Sequence, residues 1–75
     1  MTTPAPAGPT PADRVLRFFQ FGHLPEGPLR DTSRACALLA YDLASKLPQG
    51  PELTAGLRKL LEAKDCFVRA ALDKA

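Results

Sequence analysis

The sequence predicts an all-α protein: a short N-terminal helix followed by a long antiparallel helical hairpin, assembled as an oligomer. Three observations carry this. Apolar residues after position 10 recur at three- and four-residue spacings, with no alternating stretch that would mark a strand and no internal repeat. Prolines and glycines gather at Gly22–Pro28 and Pro48–Pro51, dividing the chain into three helical lengths. At 75 residues one core barely offsets the entropy of folding, so burial of further apolar surface against other copies is expected.

The elements follow in order. Four of the eight prolines lie in the first eleven residues, so residues 1–9 are expected to form a disordered Pro-rich tail and residues 10–75 a single helical-hairpin domain. Thr10 and Pro11 suit the N-cap and first helical position, with Asp13 favourable in the first turn. Val15, Leu16, Phe18 and Phe19 supply that helix's apolar face, and Gly22 is expected to stop it. Glu26-Gly27-Pro28 opens the second helix, whose expected seam is Leu29, Cys36, Leu39, Ala40, Leu43 and Leu47. Pro48 ends it. Gln49-Gly50-Pro51 is too short for anything but antiparallel neighbours. The third helix is expected from about Pro51 to Asp73, with Leu53, Leu57, Leu60, Leu61, Phe67, Val68, Ala71 and Leu72 as its seam. Gly56 inside it either costs about 1 kcal/mol relative to Ala or permits a close helix approach.

Composition narrows the function classes. Hydrophobic residues at 45% and charged residues at 24% describe a globular chain. A net charge of +2 is too weak for bulk binding to polymeric nucleic acid, yet compatible with a small anionic ligand. No apolar run is long enough to span a membrane, and the N-terminus has no signal-peptide pattern, so a cytoplasmic location is expected. Two cysteines, Cys36 and Cys66, are too few for a disulfide scaffold; with His23 they show no zinc-ligand spacing and are expected to face the helix seam. No nucleophile, metal cluster or acid–base pair stands out, so no catalytic residue, metal or cofactor is assigned and an enzyme is not expected.

The candidate site residues are aromatic and basic. Phe21 and His23 sit together at a helix junction stiffened by Pro25 and Pro28, a stacking surface for a base or, more blandly, a packed ring beside a solvated imidazole. Arg30 and Arg34 are four apart, sharing a face near the second helix's start; they are either forked donors for phosphate or surface charges paired with Glu26 or Asp31. Arg58, Glu62, Asp65 and Arg69 form a stripe on the third helix, with Asp65 to Arg69 in the favourable ion-pair order.

The order and spacing of three segments carry a resemblance. Phe19-Gln20-Phe21-Gly22-His23-Leu24-Pro25, then Leu39-Ala40 through Leu47-Pro48, then Leu57-Arg58-Lys59-Leu60-Leu61-Glu62-Ala63-Lys64-Asp65 cover most of residues 18–72. Together they resemble the phage anti-CBASS protein 2 and Thoeris anti-defence hairpin family. The resemblance implies a small oligomeric phage protein in the bacterial host cytosol that sequesters cyclic di- or trinucleotide messengers, at protomer interfaces, without cleaving them. It implies stacking by Phe21, where the family commonly has Tyr, so a hydroxyl contact is lost. It implies a basic contact at Ser33 or Arg34, of which Arg34 is chosen; Arg30 and His23, placed near it in the sequence, are expected as auxiliaries. A second type of pocket is implied near Arg69 or Lys74. The alternative is a small helical protein-interaction module or phage regulator with no small-molecule ligand.

Overall fold

The computed structural model describes residues 10–74, and the expected Pro-rich tail at 1–9 lies outside the described residues. Helix α1 spans Pro11–Leu16. Its start is fixed by a reciprocal cap: the Asp13 N–H donates to Thr10 Oγ1 at 3.1 Å, and the Thr10 N–H donates to Asp13 Oδ2 at 3.1 Å. The helix does not run on to Gly22. It tightens into a 3-10 turn at Arg17–Phe19, and Gln20 is already extended. Ala12, Val15 and Phe19 are buried, and Phe19 is sealed completely. Phe18, expected on the same face, is 53% exposed, because a neighbouring helical residue is turned roughly 100° away.

Gly27 sets the entry of α2, which spans Pro28–Lys46. Its φ of 141° is reached readily only without a Cβ, and Pro28 follows at a position where its missing N–H costs nothing. At the far end Leu47 is extended, as a residue preceding proline prefers. Its N–H still reaches the Leu43 carbonyl at 3.0 Å. Helix α3 spans Pro51–Lys74 and packs on α2 in a hairpin-like arrangement. The fold is therefore all-α: a short helix, then two long helices in contact.

The core sits where α1, the 3-10 turn, α2 and the first half of α3 meet. It is built from Ala12, Val15, Phe19, Cys36, Ala37, Ala40, Leu53 and Leu57. The buried face of α2 is Ser33, Cys36, Ala37 and Ala40: the expected seam holds at Cys36 and Ala40 but not at its leucines. Leu39 and Leu47 are exposed, and Leu29 and Leu43 are half-buried. The reason is that α2 touches α3, the turn carrying Phe19 and α1. The face between them is lined by small side chains, which leave room for the Phe19 ring.

On α3 the expected seam holds at Leu53, Leu57 and Ala71, and partly at Leu60, Leu61 and Val68; Phe67 and Leu72 are more than half exposed. Thr10 and Pro11 share a cleft with Thr54 and Arg58, and Lys64 reaches the 3-10 turn. The N-terminal segment thus accompanies α3 only through its first half, and beyond Lys64 the buried stripe narrows. Cys36 is buried but Cys66 is exposed, and both are free. Cys66 lies two and a half turns past buried Leu57, on the opposite face.

Candidate functional site

Phe21 lies two residues past the 3-10 turn, after extended Gln20. Its carbonyl accepts the Leu24 N–H at 3.1 Å, closing a tight turn that lifts Gly22 and His23 outward. The Phe21 ring is half-buried and packs against the core. It is therefore not the freely exposed loop aromatic the sequence suggests. It is a fixed wall, with one side on the core and the other on a recess. His23 is exposed. The recess, about 320 Å³, is lined by Gln20, Phe21, Gly22, His23 and Tyr41.

Arg30 and Arg34 line a different recess, of about 420 Å³, with Glu26, Gly27 and Asp31 at the start of α2. Its surface is mostly polar. Arg30 and Arg34 form no ion pair among the described residues, where the one salt bridge is Lys46 to Asp42 at 2.8 Å. The pairing with Glu26 or Asp31 that their spacing allows is not made. Two guanidinium groups thus stand beside the N-terminal turn of α2, whose backbone N–H groups add to a local positive field.

The structure brings the predicted residues together in two pairs rather than one group: Phe21 with His23, and Arg30 with Arg34. Both recesses border α2. Arg69 is exposed on α3, and its Nη2 donates to Cys66 Sγ at 3.5 Å. The Asp65–Arg69 ion pair does not form among the described residues. Lys74 is the last residue of α3. Tyr41 is the residue that sequence reasoning missed. It was legible only as a spacing: seven positions after Arg34 and eleven after Arg30, which puts all three on one flank of an α-helix.

A larger cleft, about 520 Å³, lies elsewhere, between Thr10, Pro11, Gln49, Gly50, Pro51, Thr54, Ala55 and Arg58. It holds one cation and no aromatic ring, and the chain continues from its rim at Thr10 into residues 1–9. Size alone does not make it the site; the smaller recesses hold the groups that recognise an anion or a flat ring. Among the described residues no cluster of His, Cys, Asp and Glu is arranged to hold a metal ion, and no helix is long and apolar enough to cross a membrane. The chain matches no protein-family model, no curated protein and no solved structure.

Proposed function

We propose that this protein is an oligomeric sponge that binds cyclic di- or trinucleotides and holds them without cleavage, lowering the free concentration of a bacterial defence signal. The observation that supports this best is the pairing of recesses along α2. One offers an aromatic wall at Phe21 with His23 beside it, the other two guanidinium groups, Arg30 and Arg34, without an ion pair among the described residues. A cyclic nucleotide presents flat bases and phosphate diesters. Rings and forked cations are what such a ligand requires. The resemblance of residues 18–72 to the phage anti-defence hairpin family points the same way, and with it a bacterial host cytosol as the place of action.

Neither recess encloses a ligand by itself. Enclosure comes in this reading from a second copy, and the chain carries surface suited to one: Phe18, Leu38, Leu39, Phe67 and Leu72 are exposed on a 75-residue chain. Arg69 and Lys74, at the far end of α3, are assigned to a second pocket type. No nucleophile or acid–base pair enters the reading, so bound ligand is released intact.

Calorimetry against a panel of cyclic di- and trinucleotides tests the proposal, followed by denaturation and chromatography of what is released. Saturable binding with intact ligand supports it. Binding followed by a linear product makes the protein an enzyme. No heat with any member favours a helical interaction module, the reading for which the same exposed leucines and phenylalanines speak.

A further inference from the structure

Tyr41 has no part in the core, and although it lies within the Leu39–Pro48 segment the resemblance assigns it no role. It stands on α2, 43% exposed, facing the recess that Phe21 and His23 border. Its hydroxyl makes no hydrogen bond among the described residues. The neighbouring exposed positions Leu38 and Leu39 are purely apolar, so a phenol here adds a polar handle that packing does not use. The opposite wall is rigid: the Phe21 ring leans on the core, and the turn from Phe21 to Leu24 is closed by a backbone hydrogen bond. The recess therefore has two aromatic surfaces, and its lining residues bring three polar groups, the Tyr41 hydroxyl, the His23 imidazole and the Gln20 carboxamide. Its volume of about 320 Å³ falls at the lower end of small-molecule sites.

Direction along α2 adds a second constraint. Arg34 lies seven residues before Tyr41 on the same flank, about 10.5 Å along the axis at 1.5 Å per residue. Arg34 borders the neighbouring recess toward the start of α2, so the sugar and phosphate of a nucleotide seated at Tyr41 cover that interval.

We propose that Tyr41 is the base-selecting residue of the site. The recess takes one purine, its face against the aromatic walls and its edge toward the Tyr41 hydroxyl and His23, while the phosphate extends along α2 toward Arg34. Purines are preferred because two fused rings cover more of the aromatic surface than a pyrimidine does, and stacking grows with overlap. This rests on the cyclic-nucleotide reading above and adds to it the residue that discriminates among bases.

The chain carries its own reporter: Tyr41 is the only tyrosine and there is no tryptophan, so intrinsic emission comes from this ring. The experiment titrates the full chain with cyclic diadenylate, cyclic diguanylate, cyclic diuridylate and ribose 5-phosphate, following tyrosine emission and heat in parallel. The same titrations are run by calorimetry on Tyr41→Leu and Tyr41→Phe, each checked for unchanged helicity. The expected result is that a cyclic dipurine quenches emission at the concentration where heat saturates. Cyclic diuridylate binds at least tenfold more weakly, and ribose 5-phosphate does not quench. Tyr41→Leu weakens dipurine binding about tenfold or more, while Tyr41→Phe, which keeps the ring, loses much less. Dipurine binding with unchanged emission and an unaffected Tyr41→Leu variant overturns the role of Tyr41 and leaves the sponge reading standing. No heat with any nucleotide overturns both. Emission that shifts with protein concentration in the absence of nucleotide, and is matched by a fall in assembly size in Tyr41→Leu, makes the ring a contact between copies and overturns the proposal.

Discussion

Replacing Lys64 by Met tests how the N-terminal segment is fastened to the hairpin. The Lys64 ammonium donates to the Phe18 carbonyl at 2.8 Å, across 46 positions of sequence, and stands 5.8 Å from the centroid of the Phe19 ring. Methionine keeps a long apolar stem over Phe19 and removes the ammonium, with both its charge and its hydrogen-bond donors. A hydrogen bond from a charged donor contributes about 1.5–3 kcal/mol and a cation–π contact about 0.5–1 kcal/mol at exposed sites. The bond to Phe18 is solvent-exposed, so water takes over part of its role and the low end applies. The expected loss is about 1–2 kcal/mol, and in a domain of this size each kcal/mol moves Tm by about 4–8 °C. Urea unfolding followed by circular dichroism reads it as a lower midpoint at unchanged slope. The runs are made at several protein concentrations so that any assembly equilibrium is separated from folding. Lys59→Met, on the exposed side of the same helix, is the control and should stay within about 0.5 kcal/mol of the parent. If the two variants unfold at the same midpoint, the tether contributes nothing and the N-terminal segment is held by Val15 and Phe19 alone.

Thr10→Ala removes one half of the α1 cap and should cost about 1 kcal/mol in thermal unfolding, with Thr10→Ser recovering most of it. Gly27→Ala has open space for the new methyl group but meets a φ of 141°, so it should lower stability by about 1 kcal/mol or more; an unchanged urea midpoint would mean that the turn relaxes at no cost. Gly56→Ala meets nothing within 4 Å and should raise the stability of the dilute chain by about 0.5–1 kcal/mol; a loss confined to high protein concentration, seen by light scattering, would identify Gly56 as a point of close approach between copies.

The helix boundaries were legible because they are local. Thr10-Pro11, Gly27-Pro28, Leu47-Pro48 and Gly50-Pro51 each act through the backbone of one or two residues, and the helices begin and end beside them. The buried faces were less legible. Periodicity finds an apolar stripe but not how many neighbours it faces. Leu39 and Leu47 fit the three- and four-residue spacing and are exposed, whereas Ala37, outside the expected seam, is sealed along with Ala40, because the turn carrying Phe19 also packs on α2. Gly22 was an expected stop, but the chain leaves the helix earlier, through the turn at Arg17–Phe19. At the candidate site the nearness of Phe21 to His23 and of Arg30 to Arg34 could be read directly. That Phe21 leans on the core could not, and it means that Phe21→Ala lowers stability as well as any stacking. Tyr41 reaches the same recess from twenty positions away, a juxtaposition only the tertiary fold creates.

The small residues between α2 and its neighbours have a consequence for how this chain can change. Ser33, Ala37 and Ala40 carry the inner contacts, while Leu38, Leu39, Phe67 and Leu72 face outward. The two sets share no positions. Substitutions on the outer set therefore alter what the molecule adheres to without loosening the hairpin, and those on the inner set do the reverse. Folding and any association through the outer set are therefore separable traits. If copies adhere through that set, exchanging its leucines for charged residues should weaken the adhesion and leave the recesses beside α2 as they are.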